Sequence, residues 1–154
     1  MLHYTACGLD NVWLQNGYKV HKTAYGSATS IHDAAGLHKL LALDLTHKKG
    51  RLTGKELRFL RVQLGLSQEA LAKLQGVTEQ SVSLWERTGK VPHANDMLMR
   101  LCYLSHTQGE TPISQAIDRV KIVDRLVHER IVAKSARSKW SSKVQIETVE
   151  AVAA

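Results

Sequence analysis

The apolar positions of this chain switch between two periods. Near the N-terminus Val12, Leu14, Tyr18 and Val20 fall at even spacing, the period of a strand. Asn16-Gly17 lies between them, and Asn-Gly is the strongest short-range hairpin signal. The pattern predicts paired strands over 11–14 and 18–22. Tyr25-Gly26-Ser27 marks a second turn, and Ile31 is placed to open another short strand. From Asp33, a candidate N-cap, the period becomes helical: Leu37, Leu40, Leu41 and Leu45 recur at three and four. Lys48-Lys49-Gly50 closes that helix, with cations at its C-terminal dipole.

Five more helices' worth of pattern follow. Thr53 and Glu56 form a capping-box pair ahead of Leu57, Leu60 and Leu64, and Gly65 ends that helix. Ser67 caps the next, whose inward residues are expected to be Ala70, Leu71 and Leu74. Gly76 makes a turn, where positive φ is cheap only for glycine. Thr78 caps a helix with Val82 and Trp85 inward, and Gly89 terminates it. Beyond Pro92 a helix is expected from about Ala94, carrying Met97, Leu98, Leu101 and Leu104. After Thr111-Pro112, residues Ile113, Ile117, Val120, Val127 and Ile131 predict a C-terminal helix over 111–133. The remainder, 134–154, is polar and basic, with Trp140 alone among serines, and is expected to be disordered. The expected fold is mainly α with a small N-terminal β hairpin. Its parts are a β-containing module with one helix at 1–50, a helix-turn-helix domain at 51–110, the C-terminal helix and the tail.

The central segment carries the chemistry. Two short helices joined by a glycine turn can lay the second in the major groove of DNA. With Val82 and Trp85 anchoring it, Glu79, Gln80, Ser81, Ser83 and Leu84 become candidates to face bases. Gln80 can pair bidentately with adenine, Glu79 can accept from cytosine N4, and Leu84 can touch a thymine methyl. Gln68 at the start of the preceding helix is a candidate phosphate contact, together with the cations Lys55, Arg58, Arg61, Lys73, Arg87 and Lys90.

Charge agrees with such a partner. The 154 residues carry a formal net charge of +7, which suits a polyanion. No apolar run approaches the roughly 20 residues of a spanning helix, and the first residues lack the pattern of a signal peptide. No membrane partner is expected, and the expected location is cytoplasmic. Cys7 and Cys102 fit neither a disulfide framework nor a zinc spacing, and Cys102 reads as a buried thiol.

Ser67-Gln68-Glu69-Ala70-Leu71-Ala72 with Gly76-Val77-Thr78 and Val82-Ser83-Leu84-Trp85-Glu86 resembles the Xre/Cro family of lambda-repressor-like DNA-binding domains. The resemblance covers about a third of the chain. It implies a four- to five-helix domain acting as a homodimer on a palindromic operator. It also implies that Thr78, Glu79, Gln80, Ser81 and Leu84 face bases, with Gln68 near the backbone. One departure is Arg87-Thr88-Gly89, one residue longer than in many members, which bears on the loop that tracks phosphate. The order of parts is also similar to MqsA-type antitoxins, which hold zinc with two Cys-x-x-Cys pairs. Only Cys7 stands in the corresponding region here, so that zinc site is not expected.

The function expected is therefore a dimeric, sequence-specific DNA-binding regulator, a repressor, of which an autorepressing antitoxin is one version. The alternative is a protein-binding module that neutralises a small toxin, with DNA binding secondary. His3, Cys7, His21, His32, His38 and His47 lack metal-ligand spacing, so no metal or other cofactor is expected. Cys7 with His32-Asp33 is weak ground for nucleophilic catalysis, and no enzyme and no catalytic residue is expected.

Overall fold

The computed structural model describes residues 1–109, 115 and 127–148. It divides into two compact units, Met1–Lys121 and Ile122–Ala154. The first unit contains β1 (Leu2–His3), β2 (Trp13–Leu14), β3 (Tyr18–Thr23), β4 (Gly26–Ile31) and the helices α1 (Ala34–Thr46), α2 (Gly54–Gln63), α3 (Gln68–Gln75), α4 (Glu79–Thr88) and α5 (His93–Thr107). The architecture is predominantly helical with small antiparallel strand pairs, an α+β arrangement.

The helices begin where local chemistry says they should. Thr53 accepts from the Glu56 N–H at 3.2 Å while the Glu56 carboxylate accepts from Thr53 N–H at 2.8 Å, a complete capping box. Ser67 and Thr78 cap α3 and α4 by accepting from Ala70 and Ser81 N–H. Asp33 caps α1 in a left-handed conformation, φ 46°, and accepts from Gly36 N–H. Gly76 and Gly89 end α3 and α4 with φ of 69° and 73°.

One core runs through the unit. Leu57, Leu60, Leu64, Leu71, Val82, Trp85 and Met99 are buried, and Tyr4, Leu9 and Val12 from the N-terminal segment join them. α1 packs on α2 and α5, so the N-terminal helix is part of the bundle and no break between compact units falls near residue 50. Arg100 on α5 closes the connection from α1 to α2. Its guanidinium donates to the Lys48 and Gly50 carbonyls and to Asp96, whose other carboxylate oxygen accepts from Leu52 N–H at 2.8 Å. Cys102 is buried, as its neighbours in sequence suggested. Met97, Leu98 and Leu101 are exposed on α5.

The N-terminal strands pair differently from the expectation. Gly17 does turn, with φ 80°. Yet Trp13–Leu14 pairs with Leu2–His3, and Tyr18–Thr23 pairs with Gly26–Ile31, so Ile31 ends a strand. The hairpin turn falls at Ala24-Tyr25. His3 stacks on Trp13 with ring centroids 4.2 Å apart, which favours the first of these pairings.

The second unit contains β5 (Val127–Ala136) and β6 (Lys139–Thr148), an antiparallel pair. This corrects two expectations. Residues 127–133 are strand rather than the end of a helix, and 134–148 are ordered as a hairpin rather than a disordered tail. The residues expected to be helical at 111–114 and 116–126, and the tail from 149, lie outside those described.

Candidate nucleic-acid interface

α3, the Gly76-Val77-Thr78 turn and α4 form the central arrangement, with α2 packed on α4 behind it. Val82 is fully buried and Trp85 nearly so, which fixes the inner face of α4. Successive residues rotate by about 100° around a helix, so the opposite face carries Gln80, Leu84 and Arg87. All three are exposed, Leu84 by 48% despite being apolar. An α4 of ten residues is roughly 15 Å long, a fit to a groove about 12 Å wide.

Glu79 is exposed beside this line and Ser83 is half-buried on its flank. Thr78 and Ser81 sit at the start of α4, where their hydroxyls bond each other at 2.9 Å. That bond holds both oxygens at the helix N-terminus, beside the first backbone N–H groups, which lack intrahelical partners. The start of α4 thus presents hydroxyls, an amide, a carboxylate and a positive dipole end at one edge.

The expected phosphate contacts divide. Arg87 and Lys90 are exposed at the end of α4, and Lys73 is exposed on α3, 3.5 Å from Glu69. Lys55 is exposed on α2 and pairs with Asp10 at 3.2 Å. Arg58 is exposed and lines a groove with Ala6, Cys7 and His38. Arg61 corrects the expectation. Its Nε donates to both Glu86 oxygens at 3.2 Å, its Nη2 donates to Glu86 at 2.8 Å, and its Nη1 donates to the Leu66 carbonyl at 2.9 Å. With Arg61 12% and Glu86 6% exposed, the pair faces inward and ties α2 to α4. Gln68 donates one amide N–H to the same Glu86 at 3.0 Å, which leaves its second N–H for a phosphate.

One cation was missed. Arg51, just before α2, shares a shallow groove with Lys55 and Arg87, at the crossing of α2 on α4. Its separation of thirty-odd positions from α4 hid this in the sequence. The crossing itself is close: Gly54, the first residue of α2, packs against the Glu86 and Trp85 carbonyls.

Among the described residues no group of three His, Cys, Asp or Glu is placed to hold a metal ion. Nor is any described helix long and apolar enough to cross a membrane. Cys102 is buried, and burial pushes its thiol pKa up.

Residues 53–111 match the family model described as a helix-turn-helix domain. No curated protein and no solved structure matches the chain significantly. The fold and the matched segment agree in placing a helix-turn-helix domain here, with α3 and α4 as its paired helices.

Proposed function

We propose that this protein is a sequence-specific transcriptional regulator that binds double-stranded DNA as a homodimer on a palindromic operator and represses transcription. One observation carries the reading: Gln80, Leu84 and Arg87 form an exposed line on a short helix whose other face is pinned by Val82 and Trp85. On this reading α4 enters the major groove. Gln80 pairs with adenine, Glu79 accepts from cytosine, Leu84 meets a thymine methyl, and Thr78, Ser81 and Ser83 offer hydroxyls. Arg87, Lys90, Lys55, Lys73, Arg58 and Arg51 supply phosphate contacts, with Gln68 adding one from α3.

Dimerisation draws support from α5, where Met97, Leu98 and Leu101 leave an apolar stripe exposed at helical spacing. The protein works as a binding protein and not as an enzyme, in the cytoplasm and without a cofactor. A second reading has one observation in its favour. The β3–β4 hairpin is exposed along nearly its whole length, which suits a grip on a small protein such as a toxin. In that case operator binding is autorepression by an antitoxin.

Selection of duplexes from a randomised pool, followed by gel shift, tests the main reading. The expected product is a two-fold symmetric site with half-sites about one helical turn apart. Binding that is steeply salt-sensitive but blind to sequence would refute it.

A further inference from the structure

The β5–β6 hairpin has two unlike faces. Directly opposed residues of an antiparallel pair share a face, and successive residues alternate. The register Val132↔Lys143, Lys134↔Ser141 and Ala136↔Lys139 therefore gathers Lys134, Lys139 and Lys143 on one face. Ile131, Ala133, Ser135, Trp140 and Ser142 fall on the other. Between residues 130 and 143 there is no Asp or Glu, and every residue is exposed. The tip is cationic as well. Arg137 and Ser138 make the two-residue turn with φ of 51° and 60°. Turns of this hand match strand twist but favour Asn-Gly, so a long cation stands where backbone strain alone would select against it.

Lysines crowded on one face with no internal carboxylate repel one another, and a polyanion relieves that repulsion. We propose that this hairpin is a second DNA-contacting element, a basic arm whose lysine face lies along the phosphate backbone of the duplex that α4 reads. The dimensions suit it. The lysine-bearing stretch, 132–136 against 139–143, extends about 17 Å, roughly half a turn of duplex. The chemistry selects phosphate over bases. Lysine is a point charge without a planar fork, and Val132, Ala136 and Ser141 between the lysines offer no bidentate amide. The arm thus adds affinity and salt dependence and leaves sequence choice to α4.

The inference rests on the DNA-binding reading of α4, and the test separates the two. Full-length protein and its Lys134→Gln/Arg137→Gln/Lys139→Gln/Lys143→Gln variant are titrated across salt concentrations against two duplexes of about 30 bp, roughly three helical turns. One duplex is selected by the wild type from a randomised pool, and the other is of arbitrary sequence. The variant should lose about three to four units of the log–log salt slope and at least about tenfold in affinity near 0.1 M salt, on both duplexes alike. Its ratio of selected to arbitrary binding should not move. A Ser138→Gly variant, which eases the turn and keeps every charge, should retain the full slope. A quadruple variant with unchanged slope overturns the arm while leaving α4 as the reader. A wild type that binds neither duplex overturns both. A wild-type dimer that the quadruple variant converts to monomer in sedimentation makes the hairpin an interface between copies and also overturns the proposal.

Discussion

Gly54→Ala sets two effects of opposite sign against each other. Gly54 opens α2, and alanine in place of glycine ordinarily stabilises a helix by up to about 1 kcal/mol. Here an added Cβ would meet the Glu86 carbonyl, with its carbon at 2.7 Å, and the Trp85 carbonyl oxygen at 3.0 Å. Ordinary contact distances are roughly 3.5–4.0 Å. The obstacles are backbone atoms in the last turn of α4, so no side chain can swing away. Overpacking of this kind costs about 1–3 kcal/mol. The clash outweighs the propensity gain, for a net loss of roughly 1–2 kcal/mol. With a urea slope of about 1–2 kcal/mol per M for a domain this small, the midpoint should fall by roughly 1 M. Because α4 is the element displaced, DNA affinity should fall as well. A Gly54→Ala protein with an equal or higher urea midpoint would refute the close crossing of α2 on α4, and with it the placement of the Arg51, Lys55 and Arg87 groove.

Glu86→Ala leaves the Arg61 guanidinium inward-facing without its partner and should destabilise by on the order of 3 kcal/mol, whereas Arg61→Met/Glu86→Leu should recover much of that; equal losses in urea melts would contradict the pairing. Gln80→Ala should cost roughly 1–3 kcal/mol at one operator position and leave the others unchanged; uniform weakening in a base-pair scan removes Gln80 from the readers. A thiol reagent should modify half-buried Cys7 rapidly and buried Cys102 only at the rate of opening, and Cys7→Ser should abolish the fast phase. Burial raises the pKa of Cys102, of Tyr103 and of Tyr4, the last helped by neighbouring Cys7. The unfolded chain therefore releases these protons first, so stability should be full at neutral pH and decline above about pH 9, and Tyr103→Phe should flatten the fall in urea midpoint.

The parts of this fold that were legible in the sequence are those decided within a few residues. Thr53 with Glu56, Ser67, Thr78, Gly76 and Gly89 each satisfy or release backbone groups of their own helix, so their meaning survives without tertiary context. The same locality explains why the outward line on α4 could be read once Val82 and Trp85 were placed inward. What escaped was decided at a distance. Arg61 looks like any surface cation until Glu86, 25 positions away, closes on it. Asn16-Gly17 turns as its type requires, but a turn does not choose partners for its flanks, and Leu2–His3 and Gly26–Ile31 take the two strands apart. Val127 and Ile131 are four apart, which a helix and a strand both allow, since four is close to one period of 3.6 and equals two periods of 2. The tie is broken only across the turn, where Val144, Ile146 and Thr148 supply a second β-branched run in register with the first. The basic, serine-rich stretch 134–143 carries no period of its own, whereas Val144, Ile146 and Thr148 alternate with Gln145 and Glu147 at the period of a strand; what the linear sequence lacks is the pairing across Arg137-Ser138. This also explains why the hairpin's segregation of lysines onto one face stayed hidden, for in the linear sequence those cations are merely scattered.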